Sequence, residues 1–235
     1  MVDIYQGDGD FNLGAVAKDP AWIGVMLKAT QGTYYSGGDW LATMHRRAQT
    51  LCQTREDWYV IPYHYMDMSQ SGSTQATFFF NRLRQVALGS AIEPPVYVFD
   101  VERGGQRGTY SRMQIIDQCS LFVKTMKKLT RKPIVCYGGE YLRSNRIKLA
   151  DMDVDLGWVA EYSAQLDIDA VVTPLGITPS KGLFAWQYAG LQGGGQVDVH
   201  LKGYPWTSPA GKADISAIVM DGGGDAAKTF LRSLM

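Results

Sequence analysis

Short apolar runs rich in β-branched and aromatic residues recur along the chain. Between them lie segments whose apolar residues return every three or four positions. The first pattern is that of strands covered on both faces, the second that of helices with one apolar stripe. Residues 2–5, 23–29, 59–65, 96–101, 133–137 and 156–160 read as strands. Residues 39–51, 73–88 and 111–129 read as helices. In the first of these helices Trp40, Leu41, Met44, Ala48 and Leu51 share one side. Ser73 or Thr74 stands where the second needs a cap, and Ser111-Arg112-Met113-Gln114 has capping-box form. Strand–helix alternation predicts a parallel sheet, and about eight strands in 235 residues predict a closed barrel. Residues 183–188 and 213–220 supply the last two strands, and 226–234 a final helix. Between 160 and 213 no helix of ordinary length is legible, and the glycine-rich 190–195 reads as a hairpin tip. The expected fold is therefore α/β: a single TIM-like barrel with early βα units and a mostly β final third, one domain over 1–235.

The fourth strand ends in a different kind of sequence. Pro94-Pro95-Val96-Tyr97-Val98-Phe99-Asp100-Val101-Glu102 places two carboxylates at the C-terminal end of a core strand. Two residues apart, they face the same side, with Cβ atoms roughly 6–7 Å apart. Such a pair suits acid/base work on an acetal; a helix cap beside one solvated acid is the plainer alternative. Barrel active sites gather at the C-terminal strand ends. The polar residues there are Asp3 and Gln6; Lys28, Thr30 and Gln31; His64, Tyr65 and Asp67; Asp100 and Glu102; Tyr137; Glu161 and Tyr162; Gln187 and Tyr188; and Asp214. Acids and aromatic rings dominate, a mixture suited to sugars: rings pack on the CH face and acids bind hydroxyls.

Composition narrows the classes. The apolar share of 46% supports a sizeable core, and a formal net charge of zero leaves no electrostatic footprint for nucleic acid. No apolar run approaches the roughly 20 residues of a membrane span. Cys52, Cys119 and Cys136 are odd in number, lack metal-ligand spacing and read as buried thiols. His45, His64 and His200 have no neighbour at zinc-ligand spacing, and no G-x-S-x-G elbow occurs. His64, between two tyrosines, reads as a hydrogen-bonded structural histidine. Trp22, Trp40 and Trp58 read as core, and Trp186 as core or cleft wall. Met1 leads straight into a strand without a signal peptide, so the expectation is synthesis in the cytoplasm and delivery by release or in a particle.

The order of motifs carries a resemblance. Val2-Asp3-Ile4-Tyr5-Gln6-Gly7, Leu27-Lys28-Ala29-Thr30-Gln31-Gly32, Tyr63-His64-Tyr65, Phe99-Asp100-Val101-Glu102, Trp158-Val159-Ala160-Glu161-Tyr162 and Trp186-Gln187-Tyr188 together resemble the lysozyme-type muramidases of glycoside hydrolase family 25. The resemblance spans nearly the whole chain. It implies a barrel with five early βα units and a mostly β end. It also implies cleavage of the β-1,4 bond between N-acetylmuramic acid and N-acetylglucosamine in peptidoglycan, without a cofactor. Carried over by position, Glu102 matches the general acid and Asp100 the carboxylate that steers the 2-acetamido group or the charged transition state. Asp3 and Asp214 match the aspartates of the first and last strands. Gln6, Lys28, Tyr65, Tyr137, Glu161, Tyr162, Gln187 and Tyr188 are the expected substrate-binding residues. Tyr5 stands where the family commonly has serine, and Ser216 where it has asparagine, departures that imply an altered pocket rim or a lost activity. Burial and crowding by Asp100 are both expected to raise the Glu102 pKa. Asp214 is preferred over Asp198 as the cleft residue, because its strand is more apolar and leads into the terminal helix.

The leading expectation is a monomeric peptidoglycan hydrolase of phage or prophage type. Its alternatives are a non-catalytic wall-binding or structural barrel of a phage tail-like particle, and a glycosidase for another amino-sugar polymer such as chitin. Two carboxylates and the bound sugar suffice for the chemistry. Turnover of purified peptidoglycan should therefore survive EDTA unchanged; loss in EDTA with recovery on adding zinc would contradict the assignment.

Overall fold

The computed structural model describes residues 1–8, 11–18, 20, 22–86, 93–160, 172–177, 182–189 and 214–218. Eight strands form the sheet: β1 Val2–Ile4, β2 Gly24–Gln31, β3 Tyr59–Tyr65, β4 Tyr97–Asp100, β5 Ile134–Tyr137, β6 Leu156–Ala160, β7 Leu183–Ala189 and β8 Asp214–Ile218. Each of the first six pairs in parallel with the next. β8 runs antiparallel to both β7 and β1 and closes the barrel. The parallel sheet expected from the early strand–helix alternation thus extends through β7, and the last strand departs from it.

Helices α1 Leu13–Val16, α2 Gly38–Thr54, α3 Gly72–Val86, α4 Arg112–Thr130 and α5 Gly139–Ser144 lie among the strands in the chain. α4 begins as its capping box predicts, with Ser111 Oγ accepting from Gln114 N–H and Gln114 Oε1 from Ser111 N–H. α3 corrects the expected cap at Ser73 or Thr74, because it already begins at Gly72. Gly72 N–H donates to Gln118 Oε1 at 2.8 Å, and a Cβ on this residue would collide with the Gln118 carbonyl. Only glycine lets the start of α3 approach the α4 backbone so closely. α1 and α5 are too short to show a helical period in sequence. The expected hairpin tip at 190–195 and helix at 226–234 lie outside the described residues.

Strand alternation produces two cores. One fills the barrel and includes Met26, Ile61, Val98, Val135, Trp158 and Phe184. The other lies between the sheet and its helices and includes Leu27, Phe79, Phe99, Cys119, Phe122 and Cys136. His64 belongs to the outer layer: fully buried, it stacks on Phe122 with ring centroids 5.1 Å apart. Its Nε2 donates to Gln75 Oε1 at 3.1 Å, which leaves Nδ1 to accept from the Thr30 hydroxyl at 2.7 Å. Burial pushes its pKa down to about 3, so the ring is neutral and structural, as expected. Cys52 is half-buried, Cys119 and Cys136 are buried, and all three are free thiols. Trp22 and Trp58 are core, and Trp40 packs half-buried against it. Among the described residues no helix is long and apolar enough to cross a membrane.

Gln75 joins α3 to the end of β3. Besides holding His64, it accepts from Asp67 N–H and donates to the carbonyls of Asp67 and Gln70. Gln75→Ala would leave several buried polar groups unpaired. A loss of roughly 2–4 kcal/mol of unfolding free energy is expected in urea denaturation; a change within 0.5 kcal/mol, the usual range for a surface substitution, would contradict this role.

Candidate active site

The C-terminal strand ends assemble a polar cluster above the inner core. Tyr65, Asp100, Tyr137 and Trp158 lie side by side in register across β3 to β6. Asp100 occupies the last position of β4 and is 6% exposed. Glu102, half-buried, stands two residues on, just past the strand. The loop carrying it is pinned by Gln106, whose amide donates to the Met66 and Glu102 carbonyls at 3.0 and 2.9 Å and accepts from Met68 N–H at 2.9 Å. The Glu102 carboxyl accepts a hydrogen bond from Tyr65 Oη at 3.3 Å and another from Tyr137.

Lys28 reaches this cluster because it shares the inner face of β2 with Met26, and β2 is bulged just beyond it. The register against β3 shifts between Lys28 and Thr30, so Ala29 and Thr30 both serve the outer layer while Gln31 comes level with Tyr65. The Lys28 ammonium lies 4.3 Å from the centre of the Tyr65 ring and 5.9 Å from that of Tyr35. Burial lowers its pKa, while the charges of Asp100, Asp3 and Glu102 raise it. One ammonium thus faces three carboxyl groups. Asp3 comes from β1, level with Met26 of β2 on one side and Asp214 of β8 on the other.

The two central carboxyls differ in environment. Burial pushes the Asp100 pKa well up; repulsion from Glu102 and Asp3 adds to this, and Lys28 opposes it. Its Oδ1 is buried and has no hydrogen-bond partner among the described residues. Glu102 is also raised by burial, against the hydrogen bonds from Tyr65 and Tyr137 and the Lys28 charge. The expectation that burial would raise Glu102 is met, and the mutual repulsion of the pair accompanies the rise of Asp100, the more deeply buried of the two. A raised carboxyl at a cleft wall can donate a proton to a molecule bound there, and the second carboxyl beside it keeps a buried oxygen without a hydrogen bond. The cleft beside Glu102 has a volume of about 580 Å³ and is bounded by the loops after β4 and β5 and by α5.

Of the residues singled out in sequence, Asp3, Lys28, Tyr65, Asp100, Glu102 and Tyr137 are brought together. Gln6 lies exposed in the turn after β1. Asp214 has a backbone position in β8, and Gln187 and Tyr188 have theirs in β7, while Glu161, Tyr162 and Asp198 lie outside the described residues. Asp67 is wholly buried and spends its carboxylate on Ser69, Gln70 and Arg107 beside the cluster. Sequence reasoning missed Tyr35, Gln106 and the wall built by α5. A tyrosine in a turn, a glutamine in a glycine-rich loop and a one-turn helix carry no periodic signal. Among the described residues no group of histidine, cysteine or acidic side chains is arranged to hold a metal ion.

The family model described as glycosyl hydrolases family 25 matches residues 2–193. No curated protein matches the chain. Among solved structures, a bacterial lysozyme from Streptomyces coelicolor is 17% identical with a TM-score of 0.70, over 100% of this chain and 97% of that one. A family 25 glycosyl hydrolase from Bacillus anthracis is 16% identical with a TM-score of 0.65, over 97% and 91%. The catalytic domain of endolysin ply40 from bacteriophage P40 of Listeria monocytogenes is 15% identical with a TM-score of 0.62, over 99% and 95%. At these identities the likeness is one of fold.

The elevated pKa of Asp100 has a consequence for stability. Below the ordinary carboxylate range both folded and unfolded chains hold this proton, and burial carries no ionisation penalty. As pH rises past the unfolded value the unfolded chain ionises first, and the folded state loses stability until its own pKa is passed. Asp100→Asn removes that penalty. The variant should melt above the wild type at pH 7, with the difference vanishing as pH falls below the ordinary carboxylate range. Thermal melts across pH check this; a variant less stable at pH 7 would contradict it.

Proposed function

The chain belongs to glycosyl hydrolases family 25, and we propose that it is a muramidase, cleaving the β-1,4 bond between N-acetylmuramic acid and N-acetylglucosamine in peptidoglycan. The observation that carries this reading is the pair at the end of β4: a raised Glu102 held by Tyr65 at the cleft, two residues from a buried Asp100 with an open oxygen. Two of the similar solved structures are described as a lysozyme and an endolysin, which supports the same substrate.

In this mechanism protonated Glu102 gives its proton to the glycosidic oxygen as the bond to the leaving sugar breaks. Tyr65 and Tyr137 fix the carboxyl's direction and stabilise its ionised form once the proton has left. The open Asp100 oxygen accepts from the 2-acetamido N–H of the sugar at the cleavage point. The acetamido oxygen is thereby turned toward the anomeric carbon, where positive charge develops. Lys28 keeps the acids from repelling one another apart, and Asp3 binds sugar or orients water. Asp214, opposite Asp3 in the ladder, completes the cleft, with Gln6, Glu161, Tyr162, Gln187 and Tyr188 as further sugar contacts. The protein works as a monomer on the cell wall, reached by release or particle delivery in the manner of an endolysin. A non-catalytic wall-binding barrel has no need of a raised acid at the cleft, which favours the enzyme.

Glu102→Gln keeps the shape and removes the transferable proton. Release of reducing ends from purified peptidoglycan should fall at least about a hundredfold with the melting curve preserved. Near-normal turnover would remove Glu102 from the mechanism. Chitin oligomers cleaved in place of peptidoglycan by the wild type would assign the other amino-sugar polymer.

A further inference from the structure

Beside Glu102 the cleft has a second character. Gly104, Gly138, Gly139 and Ala160, with little or no side chain, line it together with Arg103, Arg143 and Glu140. The glycine at 138 is required there, since a Cβ would stand 2.7 Å from the Val101 carbonyl oxygen. Arg103, Tyr141 and Arg143 line the same cavity. Several other arginines of the chain are engaged: Arg55 with Asp57, Arg112 with Asp151, Arg107 with Asp67, and Arg82 with two carbonyls. Arg103 and Arg143 have no ion-pair partner among the described residues.

Two guanidinium groups without counter-charges, at a cavity large enough for a ligand, are arranged to meet carboxylates, for which their planar forks are suited. The sugar rings of the glycan provide none. The anion must therefore be carried on a substituent within about one sugar of the bond that Glu102 attacks. In peptidoglycan that substituent is the short peptide on the lactyl group of muramic acid, which bears several carboxylates and, in many walls, one free amine. Resting on the muramidase reading, we infer that Arg103, Arg143 and Glu140 form a subsite for this peptide stem, with the arginines taking its carboxylates and Glu140 its amine.

The test compares peptide-bearing glycan strands with the same strands stripped by an amidase, which retain only the lactyl carboxylate. The wild type should show the higher kcat/KM on peptide-bearing strands, mainly through KM. In the Arg103→Gln/Arg143→Gln variant the ratio between the two substrates should fall by about tenfold, as expected for two partly exposed ion pairs. Raising ionic strength should erode the wild-type preference in the same direction, a measurement that stands even where the variant folds poorly. A ratio untouched by both the substitutions and salt, or a wild type that prefers stripped strands, overturns the inference while leaving the muramidase reading intact. Cleavage of neither substrate by the wild type overturns both.

Discussion

Three carboxyl groups share one half-buried ammonium at the mouth of the barrel, and the site is arranged around that imbalance. Lys28 cannot neutralise Asp3, Asp100 and Glu102 together. At such short range and low polarity the surplus negative charge is relieved by holding protons. The cluster is therefore a proton store as well as a binding surface. A solvent-filled cleft with the same residues would leave every acid ionised at neutral pH and without a proton to give.

The fold supports this by separating its cores. Leucine, phenylalanine and the histidine network hold the helices to the outside of the sheet, so the interior is free to change character along its length. It is packed with Met26, Ile61, Val98 and Phe184 below, then turns to tyrosine, lysine and acid at the C-terminal rim. The bulge in β2 belongs to the same economy. It gives Ala29 and Thr30 to the outer layer and returns Gln31 to the level of Tyr65. His64, immobilised between Thr30 and Gln75, fixes the backbone next to Tyr65, and Tyr65 in turn aims Glu102.

Much of this was legible in the chain. The strands are runs buried on both faces, which hydrophobic periodicity reports directly, and Asp100 and Glu102 interrupt such a run. The cap of α4 was legible because a capping box is local. The start of α3 was not, because it depends on Gln118, 46 residues distant in the chain. The direction of β8 was hidden for the same reason: a strand's pattern records its burial and not its neighbours' orientation. Tyr35, Gln106 and α5 act through position alone, and no property of their own sequence sets them apart. The acid–acid interaction was foreseen, but the depth of each acid was not. Spacing in a strand puts two carboxyls near each other; the burial of each depends on the strands and loops around it.

The two acids differ in what surrounds them. Glu102 is lifted by burial, against two tyrosine hydrogen bonds and the charge of a lysine. Asp100 has no such restraint beyond Lys28 and is driven further. Position along one strand end, two residues apart, thus separates a half-buried carboxyl held by tyrosine hydrogen bonds from a deeply buried one, the difference on which the proposed mechanism draws. The tyrosines of β3 and β5 keep them separate, because they hydrogen-bond the outer carboxyl and leave an inner oxygen of Asp100 open.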